Sequence, residues 1–165
     1  MAADISVRLA EERDREQIID LMVRAKRLNE EFDPLLKLSS RLQEVVTKYV
    51  EEALTSPASL LVVAERGGRL VGILKAEIVN RIFYDPPLEG IIRELYILPE
   101  YRRKGVGKML VTEAFRILQE RGAGLLTAEF PSLHKIAVEF YEKMGFRPIF
   151  SKYTIEIDRV RTSLE

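Results

Sequence analysis

The spacing of apolar residues divides the chain into a succession of short elements. Ile5-Ser6-Val7-Arg8-Leu9 alternates apolar with polar, the period of a half-buried strand. Ile18, Leu21, Met22, Ala25 and Leu28 recur at helical spacing, with Glu11, Glu12 and Asp14 at the positive end of the helix dipole and Asp33-Pro34 as the break. Leu42, Val45, Val46, Tyr49, Val50 and Leu54 predict a second helix, ending near Ser56-Pro57. Leu60–Ala64 and Leu70–Val79 read as strands joined by Arg66-Gly67-Gly68-Arg69, a hairpin whose two glycines supply positive φ. After a loop at Tyr84-Asp85-Pro86-Pro87, Gly90–Leu98 is a further strand.

Val106, Met109, Leu110, Ala114, Ile117 and Leu118 mark an amphipathic helix, closed by Arg121-Gly122. Leu125–Phe130 is predicted as a strand, Lys135–Met144 as a helix stopped by Gly145, and Tyr153-Thr154-Ile155-Glu156-Ile157 as a final strand. The order β-α-α-β-β-β-α-β-α-β, without repeats or a linker, predicts a single mixed α/β domain over residues 1–165.

Composition narrows the chemistry. Lys and Arg together number 26, as do Asp and Glu, so no overall basic excess draws the chain to nucleic acid or anionic lipid, and any anion site is local. The absence of cysteine excludes a disulfide framework and a cysteine nucleophile, and a lone histidine, His134, cannot build a metal site. Met1–Ala10 lacks a basic segment followed by an apolar run, and no stretch approaches the roughly 20 apolar residues that span a bilayer. A cytoplasmic protein with no metal and no membrane or nucleic-acid partner is expected.

The candidate chemistry lies at Tyr101-Arg102-Arg103-Lys104-Gly105-Val106-Gly107, between a strand and a helix. The first backbone N–H groups of a helix have no internal partner and point outward at the positive end of its dipole. Two glycines allow close approach of a ligand to that backbone, and Arg102, Arg103, Lys104 and Lys108 add positive charge. Pyrophosphate suits such a cradle. A Walker A loop is excluded, because Gly107-Lys108 is followed by Met109. The dinucleotide fingerprint is excluded by Leu110 in place of a third glycine. A lone Gly-x-Gly more often marks a basic turn whose charges are merely solvated.

The loop has company, however. The run from Glu94 through Leu98-Pro99-Glu100-Tyr101 to Gly107 resembles the central motif of the GNAT family of N-acetyltransferases, Pro-x-Tyr/Phe followed by Arg/Gln-x-x-Gly-x-Gly/Ala. Ala137-Val138-Glu139-Phe140-Tyr141-Glu142-Lys143-Met144-Gly145-Phe146 is similar to the second motif, Ala-x-x-Phe-Tyr-x-x-x-Gly-Phe. The element order matches from Ile5 to Ile157. The resemblance implies a GNAT-like fold, with a mixed, mostly antiparallel sheet of six to seven strands flanked by about four helices.

It also implies acetyl-CoA as cosubstrate. The backbone of Leu95, Tyr96 and Ile97 would bond the pantetheine arm as an added strand does. The N–H groups from Arg102 to Gly107, Val106 included, would take the pyrophosphate, with Lys108 in reach of a phosphate. Tyr141 matches the frequent proton donor to the departing thiolate, a phenol of pKa about 10. It sits about 100° from the helical stripe of Ile136, Phe140 and Met144. For the general base, Glu129 lies where ribosomal-protein acetyltransferases of the family place theirs. Glu94 is the rival, on the same strand face as Ile92 and Tyr96 by alternation. His134 stands where the family usually has a cofactor-bonding Asn: it would donate one such bond, titrate near neutral pH, or simply replace Asn at a helix start.

Acceptor specificity is expected from the first two helices and the loop after the third strand. An acidic set there, Glu30, Glu31, Asp33, Glu51 and Glu52 with aromatic Phe32, Phe83 and Tyr84, would favour a cationic amine, unless it is only a solvated face. The resemblance thus implies acetyl transfer to a small-molecule or peptide amine, with a non-catalytic acyl-CoA-binding or sensing module as the alternative. A homodimer is compatible with it, though no exposed apolar run in the sequence demands one.

Overall fold

In the computed structural model, residues 4–164 are described. Five strands form one sheet in chain order: β1 (Ser6–Leu9), β2 (Ser59–Arg66), β3 (Arg69–Asn80), β4 (Leu88–Ile97) and β5 (Leu125–Ala128). The first four pair antiparallel, and β5 lies parallel to β4, so the sheet is mixed and mostly antiparallel. Helices α1 (Arg15–Glu30) and α2 (Leu42–Thr55) cover one face, and α3 (Val106–Glu120) and α4 (Lys135–Lys143) lie on the other. A short α5 (Val160–Leu164) ends the chain.

The helices form where apolar stripes needed cover. Helix α1 buries Ile18, Ile19, Leu21, Met22 and Ala25, and α3 buries Val106, Leu110, Val111, Ala114, Ile117 and Leu118. The central strands β2 and β3 are covered on both faces, which is why their sequences are apolar nearly throughout. The β2–β3 turn has Gly67 at φ 56° and Gly68 at φ 83°, the conformation expected of that pair. Glycine also permits close packing at Gly90, where a Cβ would stand 2.6 Å from Leu118 Cδ1.

Three expectations are corrected. The final strand at Tyr153–Ile157 does not form: residues 151–156 have no regular structure, and a 3-10 turn follows at Ile157–Arg159. The sheet therefore has five strands among the described residues, short of six to seven. The strand expected at Leu125–Phe130 stops at Ala128, where it parts from its neighbour.

The third correction concerns β4. Lys75 pairs with Glu94 and Ala76 with Ile92, so Arg93 is an extra residue, a β-bulge. Adjacent residues of β3 face opposite sides, so Glu94 and Ile92 do too. Glu94 shares the α1/α2 face with Tyr96, while Ile92 faces α3.

Candidate active site

Strands β4 and β5 pair only from Glu89–Leu125 to Ile92–Ala128, and the last bond between them is Glu129 N–H to the Ile92 carbonyl at 3.0 Å. Beyond it β5 turns away at Phe130-Pro131, while β4 runs on through Leu95, Tyr96 and Ile97. A fork opens, with one edge of β4 unpaired by any strand. The Ile97 carbonyl points into it and accepts a bond from Arg102 Nε at 2.9 Å. The Arg102 guanidinium also lies 5.4 Å from the Tyr96 ring centroid.

The glycine loop closes the far end of the fork. Gly105 is the N-cap of α3 at φ 81°, a left-handed conformation, and a Cβ there would meet nothing within 4 Å. Arg103 is left-handed as well, at φ 61°. Gly107 serves a different end: a Cβ would stand 3.2 Å from both Ile97 Cδ1 and Phe140 Cζ, so its bareness lets α3 close on β4 and α4. Arg102, Arg103, Lys104 and Lys108 are exposed around the helix start, with Lys104 Nζ 5.5 Å from the Tyr101 ring centroid. The Arg102 N–H is engaged by the Pro99 carbonyl at 3.3 Å, but the open space at Gly105, the N–H groups of the helix start beyond Arg102 and four cations make the loop fit a pyrophosphate.

Tyr141 projects from α4 into an aromatic box. Its ring stacks on Phe130 at 5.2 Å and meets Phe140 and Phe146 edge-on at 5.0 and 5.1 Å. Burial pushes the phenol above its ordinary value. Its hydroxyl has no hydrogen-bond partner among the described residues, yet it is not sealed off from the surface. Of the helical stripe of Ile136, Phe140 and Met144, the last two pack against the core and Ile136 does not. Tyr141 is the buried residue of α4, and Ile136 is exposed.

His134 is the N-cap of α4. Its Nδ1 accepts from the Ala137 N–H at 3.2 Å, and its ring stacks on Phe32 at 4.3 Å. Burial lowers its pKa, and nearby Arg102 acts in the same direction. With Nδ1 accepting from the backbone, the neutral form of the ring carries its proton on Nε2. It caps the helix through Nδ1 and leaves Nε2 as a spare polar atom.

The two candidate bases sit at opposite ends of a polar chain on the α1/α2 side. Buried Glu94 accepts from Lys26 Nζ and, at 2.8 Å, from Tyr49 OH. The Tyr49 ring lies 4.7 Å from Lys75 Nζ, which pairs with Glu77 at 3.1 Å. Glu77 pairs with Arg93 at 2.6 Å, and Arg93 with exposed Glu129 at 2.5 Å. Burial works against ionisation of Glu77, but the bonds from Lys75 and Arg93 more than offset it and hold the carboxyl below its usual range. Three cations and three carboxylates balance along this chain, and its two buried members, Lys75 and Glu94, are each paired. Sequence reasoning missed Lys26, Tyr49, Lys75 and Arg93. The available signal was Lys75, a charge in the middle of an apolar strand.

The acidic set near α1 and α2 is largely engaged within the protein. Glu30 accepts from the Leu38 N–H, Asp33 caps a 3-10 turn through the Leu35 N–H, and Glu51 pairs with Arg15. Phe83 and Tyr84 stay exposed on the β3–β4 loop.

Comparison with known proteins agrees with this architecture. The family model described as the acetyltransferase (GNAT) family matches residues 18–146. Streptothricin acetyltransferase of Streptomyces lavendulae is 36% identical over 55 residues, 33% of this chain and 29% of that protein. N-acetyltransferase family 8 member 3 of Rattus norvegicus is 29% identical over 113 residues, 67% of this chain and 48% of that protein. The chain thus spans less than half the length of these curated relatives. Among solved structures, an aminoglycoside N-acetyltransferase AAC(6')-Iy in complex with CoA superposes with a TM-score of 0.74 at 16% identity, covering 92% of this chain and 93% of that one. With the family model covering most of its length, the chain belongs to the GNAT acetyltransferase family.

Proposed function

We propose that the chain is an acetyl-CoA-dependent N-acetyltransferase that moves the acetyl group directly to a primary amine in a ternary complex. The observation that carries this reading is the forked β4 edge ending in an open glycine-lined helix start, with an unbonded tyrosine hydroxyl nearby. Pantetheine amides pair with the backbone of Leu95, Tyr96 and Ile97 as Arg102 leaves the Ile97 carbonyl. The helix start at Arg102 to Lys108 holds the pyrophosphate, and the Nε2–H of His134 is available to the same ligand.

The amine nitrogen attacks the thioester carbon, the carbon–sulfur bond breaks, and the electron pair leaves on sulfur. Tyr141 donates to that sulfur, and the amine gives its proton to a base. Because burial keeps the phenol protonated, the donor is present throughout the neutral range, stabilising the charge that develops in the transition state. Glu129, exposed at the fork, takes the amine proton directly. Glu94, held by Lys26 and Tyr49, is the rival base and would act through water. The acceptor is a small-molecule or peptide amine.

Two measurements test the reading together. Millimolar acetyl-CoA should raise the melting temperature, since a ligand bound only by the folded state stabilises it; no shift removes the cosubstrate assignment. Thiol release over a panel of polyamines, aminoglycosides and peptides should then reveal an acceptor, with Tyr141→Phe lowering kcat far more than cofactor affinity. Binding without turnover on any amine would favour the non-catalytic acyl-CoA-binding module. Glu129→Gln and Glu94→Gln, compared by pH–rate profile, decide between the bases.

A further inference from the structure

One side chain of the protein already holds the group that the pantetheine arm would need. The Leu98 N–H bonds to the Val71 carbonyl of β3, so by alternation the backbone groups of Ile97 point the other way, into the fork. The Ile97 carbonyl is thus a pairing group of the open edge, and Arg102 Nε donates to it at 2.9 Å. The same guanidinium lies 5.4 Å from the Tyr96 ring centroid. It is also close enough to His134 to oppose the charging of that imidazole. Arg102 is therefore bonded to one arm of the fork and lies beside the helix cap on the other.

Nothing anionic holds it there. Arg102 is exposed, and among the described residues its guanidinium forms no ion pair, only the bond to a neutral carbonyl and the ring contact. It stands three residues before Gly105, the N-cap of α3, where the pyrophosphate would lie. A phosphate oxygen is a much better acceptor for a guanidinium than a peptide carbonyl, because the bond is charge-assisted and its fork geometry matches. The two acceptors compete for one side chain.

We propose that Arg102 is a specificity-determining residue that admits the pantetheine arm only when a phosphate draws it off the Ile97 carbonyl. This deepens the acetyl-CoA reading, on which it rests, by adding a discrimination among thioesters. A thioester bearing the pyrophosphate exchanges a neutral acceptor for a charged one. The same thioester on bare pantetheine displaces Arg102 without compensation, a handicap of about fivefold in affinity for one net hydrogen bond. The choice is made at the end of the ligand remote from the reacting carbon, by a penalty against the wrong ligand as well as a gain for the right one.

Calorimetric and NMR titrations with acetyl-CoA and with S-acetylpantetheine test this. Arg102→Met, which keeps an apolar stem and no donor, should weaken acetyl-CoA by about tenfold or more and tighten S-acetylpantetheine about fivefold. Arg102→Ala should give the same two signs, which excludes the methionine stem as their cause. Lys104→Met removes a neighbouring loop charge that is not bonded to Ile97, and should weaken acetyl-CoA while leaving S-acetylpantetheine unchanged. All three side chains replaced are exposed, so circular dichroism should not change. Where the wild type binds acetyl-CoA, an affinity for S-acetylpantetheine that falls or stays the same in both Arg102 variants overturns the proposal alone. A wild type that binds no acetyl-CoA removes the cosubstrate reading and the proposal with it.

Discussion

Replacing Tyr49 by Phe isolates one link of the buried polar chain. The Glu94 side chain is 5% exposed and has two side-chain donors, Lys26 Nζ and Tyr49 OH, the latter at 2.8 Å. The substitution removes a single oxygen. The ring remains between α2 and the sheet, and its 4.7 Å contact with Lys75 Nζ is retained, so neither cavity nor lost packing confuses the result. What is lost is a hydrogen bond to a charged acceptor that water cannot readily replace, about 1.5–3 kcal/mol. For a chain of this length each kcal/mol moves the melting temperature by about 2–4 °C, so a fall of roughly 3–12 °C is expected. Urea unfolding should show a lower midpoint at constant m-value. In a Glu94→Gln background the same substitution should cost at least 1 kcal/mol less, the coupling a double-mutant cycle reads. A loss below about 0.5 kcal/mol in both backgrounds would refute the claim that this phenol stabilises the carboxylate.

Gly105→Val should destabilise by about 1–2 kcal/mol, because a β-branched residue is forced to φ 81° although nothing obstructs its side chain; it should also weaken acetyl-CoA binding in a thermal-shift titration, and an unchanged response would separate the loop from the ligand. Bonds from Arg8 hold the Asp14 carboxyl below its ordinary range. The folded state therefore releases a proton that the unfolded state retains, and the stabilisation is present above the unfolded pKa of about 3.9 and lost as pH falls through the folded value. Asp14→Asn should cost about 1.5–3 kcal/mol at pH 7, with a shallower decline between pH 5 and 3 by calorimetry. Burial raises both Tyr49 and Tyr141, with Glu94 adding to the shift of Tyr49. Stability should thus fall as pH rises past the unfolded tyrosine value of about 10. Absorbance titration should leave at least two of the six tyrosines protonated in folded protein at pH 11.

Local conformational requirements were readable from the sequence because single residues carry them. Gly67-Gly68 turned the hairpin, Gly122 and Gly145 ended their helices at φ 91° and 95°, and the apolar stripe of α3 identified its buried face. The candidate site was readable in part for the same reason, since the Gly105-Val106-Gly107 turn and Phe140-Tyr141 are contiguous strings. Alternation failed at Glu94, because a bulge is a property of two paired strands and leaves no mark in one of them. Lys26 and Tyr49 lie 68 and 45 residues from Glu94, and their convergence exists only after helix packing. The strand expected at Tyr153–Ile157 does not form, because alternation in one segment supplies no neighbour for it to pair with.

The extra residue at Arg93 makes β4 two half-strands of opposite phase. The first half, Leu88 to Ile92, takes its alternation from α3 and β5, and the second, Glu94 to Ile97, from α1 and α2. Deleting one residue there would rejoin the phases and turn every side chain of one half onto the wrong face, Glu94 toward the apolar surface of α3 or Ile92 away from it. Substitutions along β4 are thus tolerated or rejected face by face, whereas a one-residue change of length is not tolerated at all. In any comparison of such chains, a gap at this position is a sign of misalignment before it is a sign of divergence.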